Sequence, residues 1–71
     1  MTMTSKEKRA RMRSLAESVE DSYEGFALGL SVMARAEGLV DETIAFMEEN
    51  PEANSVEILQ YLDALIVEKQ I

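Results

Sequence analysis

Four acidic residues follow one another at helical spacing and are the first candidates for chemistry in this chain. They are Glu17, Glu20, Asp21 and Glu24. Paired carboxylates can act as general acid and base, or can bind a metal ion. Their spacing, however, places them opposite the large apolar stripe of the same helix, where water would solvate them. We therefore expect a solvated acidic face; recognition of a basic partner and a carboxylate site for catalysis or metal are the alternatives.

The chain also lacks most of the side chains that enzymes use for catalysis. The chain has no histidine and no cysteine, so the commonest general base, the thiol nucleophile and the usual zinc ligands are missing. Its glycines, at positions 25, 29 and 38, are not followed by the lysine and serine or threonine of a phosphate-binding loop. The sequence therefore predicts a non-enzymatic protein with no catalytic residue, no metal and no cofactor.

A basic N-terminal arm, residues 5–13, precedes an acidic body. Residues 1–13 hold five cations and one acid, a net charge of +4, whereas residues 14–71 hold two cations and thirteen acids, a net charge of −11; the whole chain carries −7. Basic side chains can contact nucleic-acid phosphates without reading sequence. No aromatic residue near the arm could stack on bases. The possible contacts with an anionic partner are Lys6, Lys8, Arg9, Arg11 and Arg13.

An apolar stripe predicts a long first helix, which the rest of the chain must be arranged around. Its members recur at steps of three and four residues: Met12, Ala16, Val19, Tyr23, Phe26, Leu30 and Met33. Thr4 and Glu7 match a capping box at its start, and Gly38 suits its end. The predicted helix covers about residues 5–37, and the alternative is a kink or break near residues 21–25.

A second stripe, made of small residues, lies about a quarter turn from the first. It consists of Ser14, Ser18, Ser22, Gly25, Gly29, Val32 and Ala36. Each glycine inside a helix costs about 0.8–1 kcal/mol relative to alanine, so the pair at 25 and 29 favours close approach of another helix. A membrane dimer is disfavoured because the apolar run 26–34 is too short to span a bilayer. The predicted helix–helix interface comprises Ser18, Ser22, Gly25, Phe26, Gly29, Leu30 and Met33.

The rest of the chain predicts a helical hairpin, about residues 41–50 and 55–69, folded back on the first helix. Asp41 is a suitable N-cap for its first helix, Pro51 ends that helix, and Asn54 suits the start of the next. The apolar side chains Leu28 and Val32 also predict that the second half of the long helix is buried around most of its circumference.

The expected fold is a single all-α domain over residues 1–71, with residues 1–4 disordered. A chain of 71 residues has a marginal core, and without disulfides or zinc it gains stability through helix packing or oligomerisation. We therefore expect a dimeric helical bundle. If two straight helices cross antiparallel near Gly25, Lys8, Arg9 and Arg13 would lie near the partner's Glu42, the partner's Asp41 and the partner's Glu37.

The predicted function is a non-enzymatic module for protein–protein interaction or regulation that acts as a homodimer or binds another protein. A cytoplasmic location is expected because the chain shows neither a signal-peptide pattern nor a transmembrane segment. The alternative function is a nucleic-acid-associated accessory protein that uses the basic arm.

Overall fold

The computed structural model describes residues 3–70 and contains four α-helices. Their bounds are α1, Ser5–Glu17; α2, Glu24–Glu37; α3, Val40–Glu49; and α4, Ser55–Lys69. No strand occurs within residues 3–70, so the predicted all-α class is confirmed for this span. Of the segment predicted to be disordered, residues 1 and 2 lie outside the described residues, and Thr4 is the N-cap of α1.

The long first helix predicted from the apolar stripe is wrong. The alternative of a break is confirmed, but the break lies over residues 18–23 rather than 21–25, and Gly25 is inside α2. Helix α1 ends at Glu17, and a turn over residues 18–23 leads into α2 at Glu24. Acidic side chains are favourable in the first turn of a helix and unfavourable at its C-terminal end, so the helix dipole favours the break at Glu24 and opposes it at Glu17. The break places Glu24 in the first turn of α2, whereas a continuous helix would hold it in the interior. Ser18 Oγ donates to the carbonyl of Ser14 at 2.9 Å, a local bond that competes with helix continuation.

Helix α1 packs against α2 and α3, and the helices α2, α3 and α4 pack against one another. Lys8, near the start of α1, pairs with Asp41 at the start of α3. Arg11, further along α1, pairs with Glu48 near the end of α3, so these two helices run in the same general direction. Ser55 at the start of α4 is bonded to the turn before α2, and Lys69 at its end reaches Glu37 at the end of α2. Helices α2 and α4 therefore also share a direction.

Every helix contributes to one apolar core. Its buried members are Met12, Ala16, Phe26, Ala27, Leu30, Ala34, Leu39, Ile44, Met47, Ile58 and Leu62. The rings of Phe46 and Tyr61 stack beside the core with centroids 4.0 Å apart, joining α3 to α4. Because the chain breaks between α1 and α2, Met12 and Ala16 of the predicted stripe share this core with Phe26 and Leu30, whereas Tyr23 and Met33 of the same stripe are exposed.

The helix ends follow the predicted capping chemistry with one exception. Thr4 with Glu7, and Asn54 with Glu57, form complete capping boxes. Gly38 ends α2 with φ of 70°, a left-handed conformation that is unfavourable for residues with a Cβ. The prediction that Asp41 caps α3 is wrong: Leu39 is the N-cap, and α3 begins at Val40.

Candidate functional site

Helix α2 has an inner face in the core and an outer face in contact with solvent. Phe26, Leu30 and Ala34 lie on the inner face and are buried by the other helices. We call the exposed residues on the opposite side the outer α2 face: Gly25, Leu28, Gly29, Val32 and Ala36, with Met33 at its border next to Phe26. These residues recur at three- and four-residue intervals, so they form one continuous surface along the helix.

The outer α2 face is apolar and open. The exposed fractions of Leu28, Val32 and Met33 are 57%, 53% and 40%. A Cβ built on Gly29 meets no atom within 4 Å beyond its own helix. The prediction that this part of the chain is buried around most of its circumference is wrong, because the neighbouring helices cover only the inner face.

The exposed apolar side chains of α4 do not form a comparable surface. Val56 and Val67 are exposed on α4, but Gln60 and Asp63 lie between them on the same side of that helix. Isolated apolar side chains are normal on a soluble protein, whereas a continuous group marks an interaction surface. The outer α2 face is therefore the candidate site.

Two opposite charges border this face. Glu24 in the first turn of α2 and Arg35 in its last turn are both exposed. At about 100° per residue they lie on the same edge of the helix, next to Leu28. Each charge also complements the helix dipole at its own end. The face thus combines an apolar centre with one acidic and one basic corner.

No protein-family model matches the chain, and neither a curated protein nor a solved structure is significantly similar to it.

The residues of the predicted helix–helix interface are divided between the outer α2 face, the core and the segment between α1 and α2. Gly25, Gly29 and Met33 lie on the outer α2 face. Phe26 and Leu30 are in the core of the same chain. The remaining predicted members are Ser18, the C-cap of α1, and Ser22, in the turn before α2.

Val32 and Ala36 of the outer face were predicted members of the small-residue stripe but not of the interface, and Leu28 was in neither set. The signal that could have found them is their three- and four-residue spacing from Gly25 and Gly29. That spacing indicates a shared face, but it does not indicate which face of α2 the rest of the chain leaves uncovered.

The basic arm is largely neutralised by acids of the same chain. Lys8 Nζ lies 3.0 Å from Asp41 Oδ1, and Arg11 Nη2 lies 2.8 Å from Glu48 Oε2. These pairs hold α1 against α3. Lys8 thus contacts Asp41 of its own chain, and the straight helix on which the predicted pairing with a partner depended is absent.

Other cations of the arm differ in their surroundings. Arg13 Nε is 3.5 Å from Glu17 Oε1, one turn further along α1. Lys6 and Arg9 are exposed, and Arg9 lines a shallow cleft together with Lys8 and Arg35. Asp41 is the acid of this cleft, so its charged side chains have a net charge of +2.

The acidic residues at 17, 20, 21 and 24 do not form a joint site. Glu17 pairs with Arg13, and Asp21 accepts hydrogen bonds from Ser55 of α4. Those bonds, from the backbone and the side chain of Ser55, lower the pKa of the Asp21 carboxyl. Within residues 3–70 no three acidic side chains come together as metal ligands. The same span contains no helix that is long and apolar enough to cross a bilayer.

Proposed function

We propose that this protein is a small non-enzymatic interaction module that self-associates through the outer α2 face. The observation that carries the proposal is the continuous exposure of Leu28 and Val32 along the glycine-containing side of α2. Burial of apolar surface is the main driving force for association of helices. A cytoplasmic location is part of the same proposal.

Gly29 supports close approach of another helix, whereas a Cβ on Gly25 would lie against the ring of Tyr23. Gly29 has open space where a Cβ would lie, so packing within the chain does not require a glycine there. A glycine in the interior of an exposed helix nevertheless costs about 0.8–1 kcal/mol relative to alanine. A helix docked against this position would use the missing side chain, because two backbones can then approach closely.

A pair of matched substitutions tests the proposal. Val32 and Val67 are equally exposed, each at 53%, but only Val32 lies on the outer α2 face. Val32→Lys and Val67→Lys add the same charge, so both reduce the net negative charge of the chain equally. Sedimentation velocity over a concentration series should show self-association of the natural chain and of Val67→Lys, and monomers for Val32→Lys.

Two results would contradict self-association through this face. One is a natural chain that remains monomeric at millimolar concentration. The other is equal association of both lysine variants, which would place the contact elsewhere. Circular dichroism of each variant checks that the helices remain folded.

The nucleic-acid alternative has weaker support. Lys8 and Arg11 would have to leave Asp41 and Glu48 before binding phosphates. Heparin affinity separates the two functions, since a nucleic-acid protein should be retained at physiological salt and released as salt rises. We expect the natural chain to pass through the column; retention that is lost on deletion of residues 1–13 would favour the alternative.

A further inference from the structure

We propose that a second copy of this chain covers the outer α2 face with its own α2 in antiparallel orientation, so that Glu24 of each copy lies against Arg35 of the other. The inference depends on the proposed self-association and adds the arrangement of the two chains. It follows from the position of the two charges relative to the apolar centre.

Glu24 and Arg35 are placed for pairing across a two-fold axis. They are eleven residues apart, which is about three turns, so they differ by only about 20° around the helix. Along the helix axis they are separated by about 16 Å. The two charges therefore mark opposite ends of one edge, on either side of the apolar centre.

An antiparallel pair brings these charges together. A two-fold axis that passes between the helices near residue 30 reverses their direction and keeps the equivalent edges on the same side. Glu24 then faces the partner's Arg35 at one end, and symmetry repeats the pair at the other. Leu28 faces the partner's Val32 in the centre. The small Gly25 faces the partner's Ala36.

A parallel pair lacks this complementarity. Its two-fold axis runs along the helices and places the charged edges on opposite sides of the interface. Glu24 and Arg35 then have no oppositely charged neighbour from the other α2. The distribution of charge on this edge thus favours one of the two orientations.

The surroundings of the two charges support the same arrangement. Arg35 shares its cleft with Lys8, Arg9 and Asp41, so the charged side chains there have a net charge of +2. Glu24 shares another cleft with Glu17 and Arg13, where the net charge is −1. In the antiparallel arrangement the positive end of each copy meets the negative end of the other. This local attraction opposes the repulsion between two chains that each carry −7.

The size of the surface indicates a weak dimer. A standard interface covers about 800 Å² on each partner, about a sixth of the 4920 Å² accessible surface of this chain. Three to four turns of one helix provide less than that. We therefore expect an interface of the small class, below about 1,200 Å² in total, and association at micromolar to millimolar concentration.

Charge exchange tests the orientation. Arg35→Glu places two acids at each end of the antiparallel interface and should raise the dimer Kd about tenfold, given the modest energies of exposed pairs. The double variant Glu24→Arg, Arg35→Glu exchanges both charges and should recover most of the affinity. Lys6→Glu, an exposed change of equal charge outside α2, is the control and should have a smaller effect.

Disulfide trapping provides a second measurement that does not depend on charge. The natural chain has no cysteine. When Leu28→Cys and Val32→Cys chains are mixed and oxidised, the antiparallel arrangement predicts that the mixed disulfide forms faster than either homodimeric one. A parallel arrangement predicts the reverse.

The possible failures can be distinguished. A natural chain that does not self-associate overturns the proposed function and this inference together. A natural chain that dimerises through Val32, but with an affinity that Arg35→Glu leaves unchanged or the double variant fails to recover, overturns only the antiparallel pairing. Faster formation of the homodimeric disulfides than of the mixed disulfide would also overturn only the antiparallel pairing.

Discussion

Asp21, in the turn between α1 and α2, accepts two hydrogen bonds from Ser55, the first residue of α4. The backbone N–H and the hydroxyl of Ser55 each lie 2.8 Å from a carboxylate oxygen. The two residues are 34 positions apart in the chain, so this contact fixes the turn against the start of the last helix. A carboxylate at a helix N-terminus is also stabilised by the helix dipole.

The Asp21–Ser55 contact predicts a loss of stability in acid. Because both bonds lower the pKa of Asp21 in the folded state, the carboxylate stabilises the fold fully above its usual pKa. This stabilisation disappears as the pH falls through the lowered folded-state value. Asp21→Asn should therefore be less stable than the natural chain at pH 7, and the difference should shrink in strong acid. Thermal unfolding followed by circular dichroism at a series of pH values measures it.

Asp63→Asn is the control for this experiment. Asp63 is an exposed carboxylate of α4, and its replacement should leave the pH dependence close to that of the natural chain. If Asp21→Asn and Asp63→Asn lose stability in acid to the same extent as the natural chain, the contact with Ser55 does not contribute as proposed.

The core predicts a large difference between two leucine-to-alanine substitutions. Leu62 of α4 is fully buried in the core, so Leu62→Ala should destabilise the fold by about 2–5 kcal/mol. In a small domain that is sufficient to unfold much of the population. Leu28→Ala, on the outer α2 face, should change the stability of the monomer by less than about 0.5 kcal/mol. Urea unfolding at low protein concentration compares them, and similar losses would contradict the assigned faces of α2 and α4.

Two glycine-to-alanine substitutions in the same helix region should have opposite effects. Gly38→Ala should destabilise the fold by about 1–2 kcal/mol, because Gly38 has a left-handed conformation. Gly29→Ala should stabilise the monomer by up to about 1 kcal/mol, because its Cβ would point into open space. The same substitution should weaken self-association by separating the two backbones. A gain in both monomer stability and self-association would argue against close approach at Gly29.

The contact between α1 and α3 predicts a recoverable charge reversal. Arg11→Glu should cost up to about 1 kcal/mol, since both members of its pair with Glu48 are partly exposed. Adding Glu48→Arg should restore part of that loss. Chemical unfolding of the two single variants and the double variant gives the coupling energy between the two side chains. A coupling energy of zero would show that Arg11 and Glu48 interact with solvent and not with each other.

The sequence predicted the helical class, the hairpin and most of the helix ends because local chemistry decides them. Capping boxes at Thr4 and Asn54, the left-handed Gly38 and the stop at Pro51 each act within a few residues. These positions could be identified without any knowledge of the tertiary structure.

The break between α1 and α2 depends on contacts that are distant in sequence. Apolar residues at three- and four-residue steps fit a straight helix and also fit two helices that fold onto each other. The contact between Asp21 and Ser55 fixes the turn of the second arrangement against the start of α4. The open outer face of α2 could not be predicted from Leu28 and Val32, because apolar side chains are usually expected to be buried. The sequence does not show that the other three helices cover only one side of α2.

A residue-resolved dilution series tests the central claim, self-association through the outer α2 face, most directly. Amide chemical shifts from two-dimensional nitrogen–proton NMR spectra would be recorded from millimolar to low micromolar concentration. We predict concentration-dependent shifts that cluster at residues 24–36, with the largest at Leu28, Gly29 and Val32, while Val56 and Val67 remain constant. Spectra that do not change with concentration, or changes that cluster on α4, would contradict the claim.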